Sequence, residues 1–187
     1  MKITFATVVL ATLAAVAMPV LAQQLVPAQS EISFTSRQMG VPVEGRFGKF
    51  GAELAFDPKN PAAATVTMTI DLGSVSLGVA ETEAELAKPE WFAIKQFPQA
   101  TFQSSAVKPL APGRFEVAGK LAIKGLSRDV VVPVALAQSG GNTIASGAFT
   151  IRRLDFRIGD GDWKDTSMVA DDVQVKFKLT LAGVPAL

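Results

Sequence analysis

The sequence predicts an all-β fold, a closed antiparallel barrel of about eight strands with one or two short helices between strands 3 and 4. Three observations lead to this prediction. Apolar and polar residues alternate along most of the chain, glycine and proline separate the alternating segments, and residues 80–88 are the one good helical stretch. Strands with one apolar and one polar face must protect their edges, and closure into a barrel achieves this.

The alternating segments define the strands, whose ends such patterns locate to within about two to four residues. The strands are predicted at residues 30–37, 46–57, 64–71, 100–107, 114–124, 129–138, 143–155 and 172–182. Alternation is clearest in the last, where Val173, Val175 and Phe177 share a face with Leu179 and Leu181. The strands therefore have one apolar and one polar face.

Residues 97–134 contain three successive strands of a meander. The residues expected on their inward faces are Phe102, Ser104 and Ala106, then Phe115, Val117, Gly119, Leu121 and Ile123, then Val130, Val132 and Val134. Pro112 and Gly113 break the first connection. Gly125 permits the tight second turn, because glycine adopts a positive φ without strain.

Residues 80–88 form the predicted helix between the third and fourth strands, followed by a turn through Trp91 and Ile94. Its glutamates, Glu81, Glu83 and Glu85, spread over the helix surface instead of converging, so we expect solvated charges. Glu85 and Lys88 are three residues apart and within reach of an ion pair.

The first 22 residues are predicted to be a signal peptide. Lys2 gives a positive start, residues 3–20 are an apolar run, and Ala22 is the small residue that precedes cleavage. Residues 23–187 then form one domain, beginning at Gln23. No second run of about 20 apolar residues follows, so we expect a periplasmic protein with no membrane span in the mature chain.

The composition excludes several classes of function. The chain has no histidine, cysteine or tyrosine, so neither a His- or Cys-dependent nucleophile nor a His or thiolate metal site can be built. Its 18 basic and 17 acidic residues are scattered and nearly balanced, which offers no basic surface to nucleic acid. We therefore expect a protein that is not an enzyme and that holds no metal.

Four sequence blocks occur in order over roughly residues 30–182. They are SEISFTSRQMGVPVEGRFGKFGAELAFDP, TVTMTIDLGSVSLG, the pair FPxAxFxS and GxLxIKGxSRxVxxPV, and IRRLDFRIGDGDW. The set resembles the YceI family of bacterial lipid-binding proteins. That resemblance implies a lipocalin-like barrel holding a polyisoprenoid or similar long amphiphile. The chain departs from the family at residues 80–92, where the usual Arg, Asp and His-Leu run is missing, so roles of those groups do not transfer.

The pattern alone leaves two interpretations of the barrel interior open, a packed core and a ligand cavity. The resemblance favours the cavity. Small inward residues, Ala52, Ser104, Ala106 and Gly119, leave room between larger ones. The residues expected to bind the ligand are the inward Phe34, Phe50, Phe56, Met68, Phe102, Phe115 and Phe177, with Trp91, Phe92, Phe156 and Trp163 around the entrance.

Two polar features of the last sequence block each allow more than one interpretation. Residues 159–165, GDGDWKD, are read as a polar hairpin loop with Trp163 packed on the barrel rim, as a Ca²⁺ site that lacks the EF-hand order, or as a loop that orders the polar end of a ligand. Arg153 is expected to pair with Asp155 on one face of a strand, with ligand contact as the alternative.

Three functions stay open. The leading one is a periplasmic carrier that holds a long-chain isoprenoid lipid or a quinone as its ligand, with no other cofactor. The alternative is an accessory interaction subunit of a b-type membrane cytochrome in quinone redox chemistry or oxidative-stress defence, which similarity to GxGxW-type chains of the family implies. The third is a hydrolase that uses carboxylates.

Overall fold

A computed structural model of the protein describes residues 23–187, and the predicted signal peptide lies outside the described residues. The described part contains eleven β-strands and one α-helix. The strands are β1 (Gln24–Leu25), β2 (Glu31–Gln38), β3 (Val41–Phe47), β4 (Phe50–Ala55), β5 (Thr65–Asp71), β6 (Val75–Ser76), β7 (Gln99–Ala111), β8 (Arg114–Ile123), β9 (Leu126–Ser139), β10 (Asn142–Arg152) and β11 (Asp172–Ala182). The helix, α1, is Ala80–Leu86 and lies where it was predicted.

The strands form a single antiparallel sheet, which confirms the all-β class. Its order is β4-β5-β7-β8-β9-β10-β11-β2-β3-β6, and β1 adds to β11. The sheet is strongly curled, so that side chains from both ends of this order share one apolar interior. Within residues 23–187 the ladder does not continue from β4 to β3 or β6, so the predicted closure by continuous strand pairing is not shown.

The chain itself links the two ends of the sheet at a sharp bend. Only Gly48 and Lys49 separate β3 from β4, although these strands lie at opposite ends of the order. Two backbone bonds fix the bend: the Gly48 amide donates to the Ser74 carbonyl at 3.0 Å, and the Asp71 amide donates to the Lys49 carbonyl at 2.9 Å. The strand predicted over residues 46–57 is therefore two strands with different partners.

A β-bulge in β7 changes which residues face the interior. The pairing with β8 shifts register between Ser104 and Ala106. An extra residue in a strand reverses the in-out alternation that follows it. Val107 is therefore buried and Ala106 is exposed, so the prediction that Ala106 faces inward was wrong.

Glycines in three strands make room for phenylalanine rings from the neighbouring strand. A Cβ at Gly45, Gly119 or Gly147 would overlap the ring of Phe34, Phe102 or Phe177, respectively. Each ring occupies the space of the missing side chain, so it lies along the wall of the sheet. This arrangement lets large aromatic residues line the interior without filling it.

Candidate functional site

The curled sheet surrounds an internal cavity of about 380 Å³. Nine of the strands and α1 contribute to its wall, which is almost entirely aliphatic and aromatic. A volume of this size lies within the usual range for small-molecule sites, and such sites are lined mainly by apolar side chains. Of the two interpretations of the interior, the structure therefore shows the cavity.

Nine of the eleven predicted ligand-binding residues line this cavity. They are Phe34, Phe56, Met68, Trp91, Phe92, Phe102, Phe115, Trp163 and Phe177. That they contact a ligand remains a prediction. Phe50 packs beside the cavity in the cluster around Met68 and does not line it. Phe156 is only 1% exposed and packs in the core, with the Arg128 guanidinium carbon 6.0 Å from its ring centroid. It is therefore not part of an entrance.

Arg153 is buried at one end of the cavity, where its guanidinium donates five hydrogen bonds to backbone carbonyls. Nε donates to Ala170 at 3.0 Å. Nη1 donates to Ile158 at 2.8 Å and to Gly159 at 3.1 Å, and Nη2 donates to Trp163 and Val169, each at 2.7 Å. A guanidinium has five N–H donors, so all of them are engaged. Arg153 thus holds the connection between β10 and β11 together.

The predicted ion pair between Arg153 and Asp155 was wrong. β10 ends at Arg152, and Arg153–Phe156 form a 3₁₀ turn, so the two residues do not share a strand face. The neighbouring Arg152 is exposed and pairs with Asp155 at 2.9 Å. Burial lowers the pKa of Arg153 from its ordinary value, but an arginine stays charged at neutral pH.

Four of the polar side chains in the cavity wall belong to β2 and α1, and we infer that the cavity opens between these elements because two of the four are exposed. Ser36 and Gln38 come from the end of β2, and Thr82 and Glu85 come from α1. Gln38 and Thr82 are the two exposed residues of the wall, whereas every other residue that lines the cavity is buried or partly buried. A polar entrance to an apolar cavity suits an amphiphile, whose head stays near water while its chain is buried.

Glu83 fixes the segment that leads into α1. Its Oε1 accepts hydrogen bonds from the Leu77 amide at 2.8 Å, the Gly78 amide at 3.0 Å and the Ser76 hydroxyl at 3.0 Å. These bonds, chiefly the one from Leu77, lower the pKa of Glu83 below its usual range. The expectation that Glu83 is only a solvated charge was therefore wrong. The expected pair of Glu85 and Lys88 is present.

The GDGDWKD segment, residues 159–165, contributes an aromatic contact at the end of the cavity where Arg153 lies. It contains a 3₁₀ turn, Gly161–Lys164, and Trp163 packs against Trp91 with ring centroids 5.3 Å apart. Asp160 pairs with Arg157 at 3.0 Å, and Asp165 accepts a bond from the Ser167 amide at 2.9 Å. Over residues 23–187, no group of three or more acidic side chains is placed to bind a metal ion.

Exposed apolar side chains occur in the segments that adjoin the polar wall residues of β2 and α1. Met39 and Val41 lie on the β2–β3 hairpin, Val79 precedes α1, and the Met39 amide donates to the Met168 carbonyl at 2.8 Å. These four residues are 43–69% exposed and are four of the seven large exposed hydrophobic residues in the described part of the chain. Among the helices described, none is long and apolar enough to cross a membrane.

Sequence reasoning missed the polar residues of the entrance and the burial of Arg153. No sequence pattern marks Ser36, Gln38 or Thr82 as polar residues of a cavity wall, and only the curl of the sheet brings them together. The doubled arginine at residues 152–153 was the available signal, because one of two adjacent arginines at a strand end must point inward. Thr143 also lies in the cavity wall, but nothing in the alternating pattern of its strand distinguishes it from an outward-facing threonine.

Comparison with known sequences places most of the chain in one family. A family model described as YceI-like domain matches residues 23–181. The UPF0312 protein of Yersinia enterocolitica is 36% identical over 110 residues, which are 58% of this chain and 57% of that protein. A UPF0312 protein of Vibrio cholerae is 29% identical over 114 residues, or 60% of each chain. The matched segments thus span less than two thirds of these relatives.

Solved structures show the same fold. BcnA of Burkholderia cenocepacia superposes with a TM-score of 0.81 at 46% identity, over 83% of this chain and 98% of BcnA. A polyisoprenoid binding domain from Saccharophagus degradans, implicated in plant cell wall breakdown, gives 0.71 at 18% identity, over 88% and 99% of the chains. The Campylobacter jejuni YCEI protein gives 0.67 at 23%, over 74% and 83%. The last two similarities concern the fold alone.

Proposed function

The chain belongs to the YceI-like family, and from this premise we propose that it is a binding and carrier protein for a long-chain isoprenoid lipid. The observation that carries the proposal is the apolar cavity of about 380 Å³, whose two exposed wall residues are polar. The polyisoprenoid binding domain of Saccharophagus degradans, which has the same fold, supports this ligand class.

Retention of such a ligand needs no covalent chemistry. Burial of hydrocarbon stabilises a complex by about 0.8 kcal/mol per CH₂ group, so a long chain provides ample affinity. The two charged residues of the cavity wall are already engaged, Arg153 with carbonyls and Glu85 with Lys88. We therefore propose that the protein acts by binding and not by catalysis.

Two finer parts of the proposal concern the closure of the sheet around the cavity and the chemical identity of the ligand. We propose that the curled sheet encloses its ligand as a lipocalin-like barrel, with β1 extending the wall beyond β11. The side-chain amide of Gln23 supports this, because it both donates to the Phe56 carbonyl, at 2.6 Å, and accepts from the Phe56 amide, at 2.8 Å. A quinone with an isoprenoid tail fits the same cavity chemistry. Neither the described residues nor the relatives give support to the cytochrome-subunit alternative.

The carrier role and the location are proposals as well. The exposed apolar residues around the opening, such as Met39 and Val41, suit a lipid that passes between a lipid phase and the cavity. The charged, apolar and small-residue pattern of residues 1–22 supports export to the periplasm. The intact mass of the exported protein tests this: a mature chain beginning at Gln23 is expected, and retention of Met1 would contradict export by cleavage.

The ligand proposal is tested by extracting the natively purified protein with organic solvent and analysing the extract by mass spectrometry. We expect an isoprenoid lipid in an amount comparable to that of the protein. Delipidated protein should then take up a prenyl lipid of the same chain length from detergent. An extract without lipid, together with no uptake of any prenyl lipid, would rule the proposal out.

A further inference from the structure

The methionines of the described residues fall into an exposed pair and a buried one. The sequence has five methionines, of which Met39, Met68 and Met168 lie within residues 23–187. Met39 is 69% exposed and Met168 is 43% exposed, whereas Met68 is 8% exposed and lines the cavity. Because oxidation of a thioether requires contact with the oxidant, exposed methionines react more readily than one buried in an apolar wall. The three methionines should therefore differ widely in reactivity.

A short antiparallel pairing brings the two exposed methionines together at the edge of the cavity. Gln38 and Val169 form an isolated antiparallel bridge, and both line the cavity. In the same register Met39 lies opposite Met168, and the Met39 amide donates to the Met168 carbonyl at 2.8 Å. Residues opposite one another in an antiparallel pair are near neighbours. Each exposed methionine is thus adjacent in the chain to a residue of the cavity wall.

Oxidation at these two positions would change the polarity of an apolar surface. Val41, on the same hairpin as Met39, is 63% exposed, so Met39, Val41 and Met168 together present apolar side chains to the outside. Exposed apolar surface of this kind suits contact with a lipid phase. A sulfoxide replaces an apolar thioether by a polar group, and removal of a polar group from water without a new hydrogen bond is unfavourable. Contact with lipid is therefore weakened once the sulfurs are oxidised.

We propose that Met39 and Met168 form an oxidation site through which a small peroxide, such as hydrogen peroxide, slows the exchange of lipid between the protein and a lipid phase. A sulfur lone pair attacks one peroxide oxygen, the O–O bond breaks, an S–O bond forms, and the other oxygen leaves as water. Each sulfur loses the two electrons that the peroxide gains, and the product is methionine sulfoxide. The effect on lipid exchange rests on the proposed function, whereas the selectivity of the oxidation does not.

The first test measures the selectivity of the oxidation. Folded protein is treated with increasing amounts of hydrogen peroxide, digested, and analysed by mass spectrometry for sulfoxide at each methionine. We expect Met39 and Met168 to react at least about 10-fold faster than Met68. In protein unfolded by urea, the three rates should become similar, since only the fold distinguishes the sulfurs. Oxidation of Met68 in the folded protein as fast as that of either exposed methionine would overturn the inference.

The second test measures the rate at which delipidated protein takes up dansyl-labelled geranylgeraniol from phosphatidylcholine vesicles. Oxidised protein should take up the probe about 5-fold or more slowly, and treatment with methionine sulfoxide reductase and dithiothreitol, which reduces the sulfoxides, should restore the rate.

Leucine variants provide the controls, because leucine is apolar and has no sulfur. The double variant Met39→Leu with Met168→Leu should keep its uptake rate after peroxide treatment, whereas Met68→Leu should remain as sensitive as the unmodified protein. An unchanged rate after complete oxidation of Met39 and Met168, or an equal loss in the double variant, would overturn the inference. If the untreated protein takes up no prenyl lipid, the proposed function fails and the effect on exchange fails with it, whatever the pattern of oxidation.

Discussion

Replacement of Arg153 by methionine tests how the end of the cavity is held together. The substitution keeps most of the side-chain volume and removes five hydrogen bonds to carbonyls. Each bond contributes about 0.5–1.5 kcal/mol net, and the loss of the buried charge returns part of that sum, because the guanidinium no longer has to be desolvated. We expect the free energy of unfolding to fall by about 3–5 kcal/mol. For a domain of this size, the melting temperature then falls by about 6–20 °C.

The adjacent Arg152 provides a matched control. Its side chain is 63% exposed and its ion pairs with Asp155 and Asp171 lie at the surface. Arg152→Met should therefore change the free energy of unfolding by no more than about 1 kcal/mol. Urea titration and thermal melts of both delipidated variants measure the difference. The reasoning is refuted if Arg153→Met is within about 1 kcal/mol of the unmodified protein, or if Arg152→Met is equally destabilising.

Three further predictions concern the cavity and its opening. Gly45→Ala should reduce the amount of bound lipid, because a Cβ at this position displaces the Phe34 ring into the cavity. Gly51→Ala is the control: its Cβ meets no atom within 4 Å, so this variant should bind the normal amount. Mass spectrometry of solvent extracts compares the two variants, and equal lipid content would contradict this prediction. Since the pKa of Glu83 is lowered, its stabilisation of the segment before α1 is complete at neutral pH, above the ordinary glutamate pKa, and is lost as the pH falls through the lowered pKa. The hydrogen-exchange protection factors of residues 76–78, corrected for the intrinsic exchange rate at each pH, should therefore fall in acid. Glu83→Gln should remove that pH dependence, and a dependence that persists in this variant would contradict the explanation. Phe102→Ala should lower the free energy of unfolding by less than about 3–5 kcal/mol, the loss typical of a packed core, because the cavity already exists. A larger loss in urea titrations would argue against a cavity beside Phe102.

Much of the fold could be predicted because local alternation dictates it. Val173, Val175 and Phe177 of β11 face the interior as expected, and α1 lies within the predicted helix. The predictions that were wrong concern places where one or two residues interrupt the alternation of a strand. The bulge before Ala106 reverses the alternation of β7, and the bend at residues 48–49 divides one predicted strand between two ends of the sheet. Neither has a distinct sequence signal.

The cavity wall was predictable for the same reason, and its polar groups were not. Large inward residues such as Phe102 and Phe177 follow from strand periodicity. The partners of Arg153 depend on how residues 153–171 turn back across the end of the sheet, which is a tertiary property. The contact of Trp163 with Trp91 likewise joins segments distant in sequence.

The most direct test of the account compares two tryptophan substitutions in β10. Ala145 is buried and lines the cavity, whereas Ala148, three residues along, is exposed. Both variants, checked for folding by thermal melts, are extracted and their lipid content is measured by mass spectrometry. We expect Ala145→Trp to lose bound isoprenoid lipid and Ala148→Trp to carry the normal amount. If Ala145→Trp fails to fold, Ala52→Phe, also in the cavity wall, takes its place. Normal lipid content in a folded cavity variant would contradict the claim that the ligand lies in this cavity.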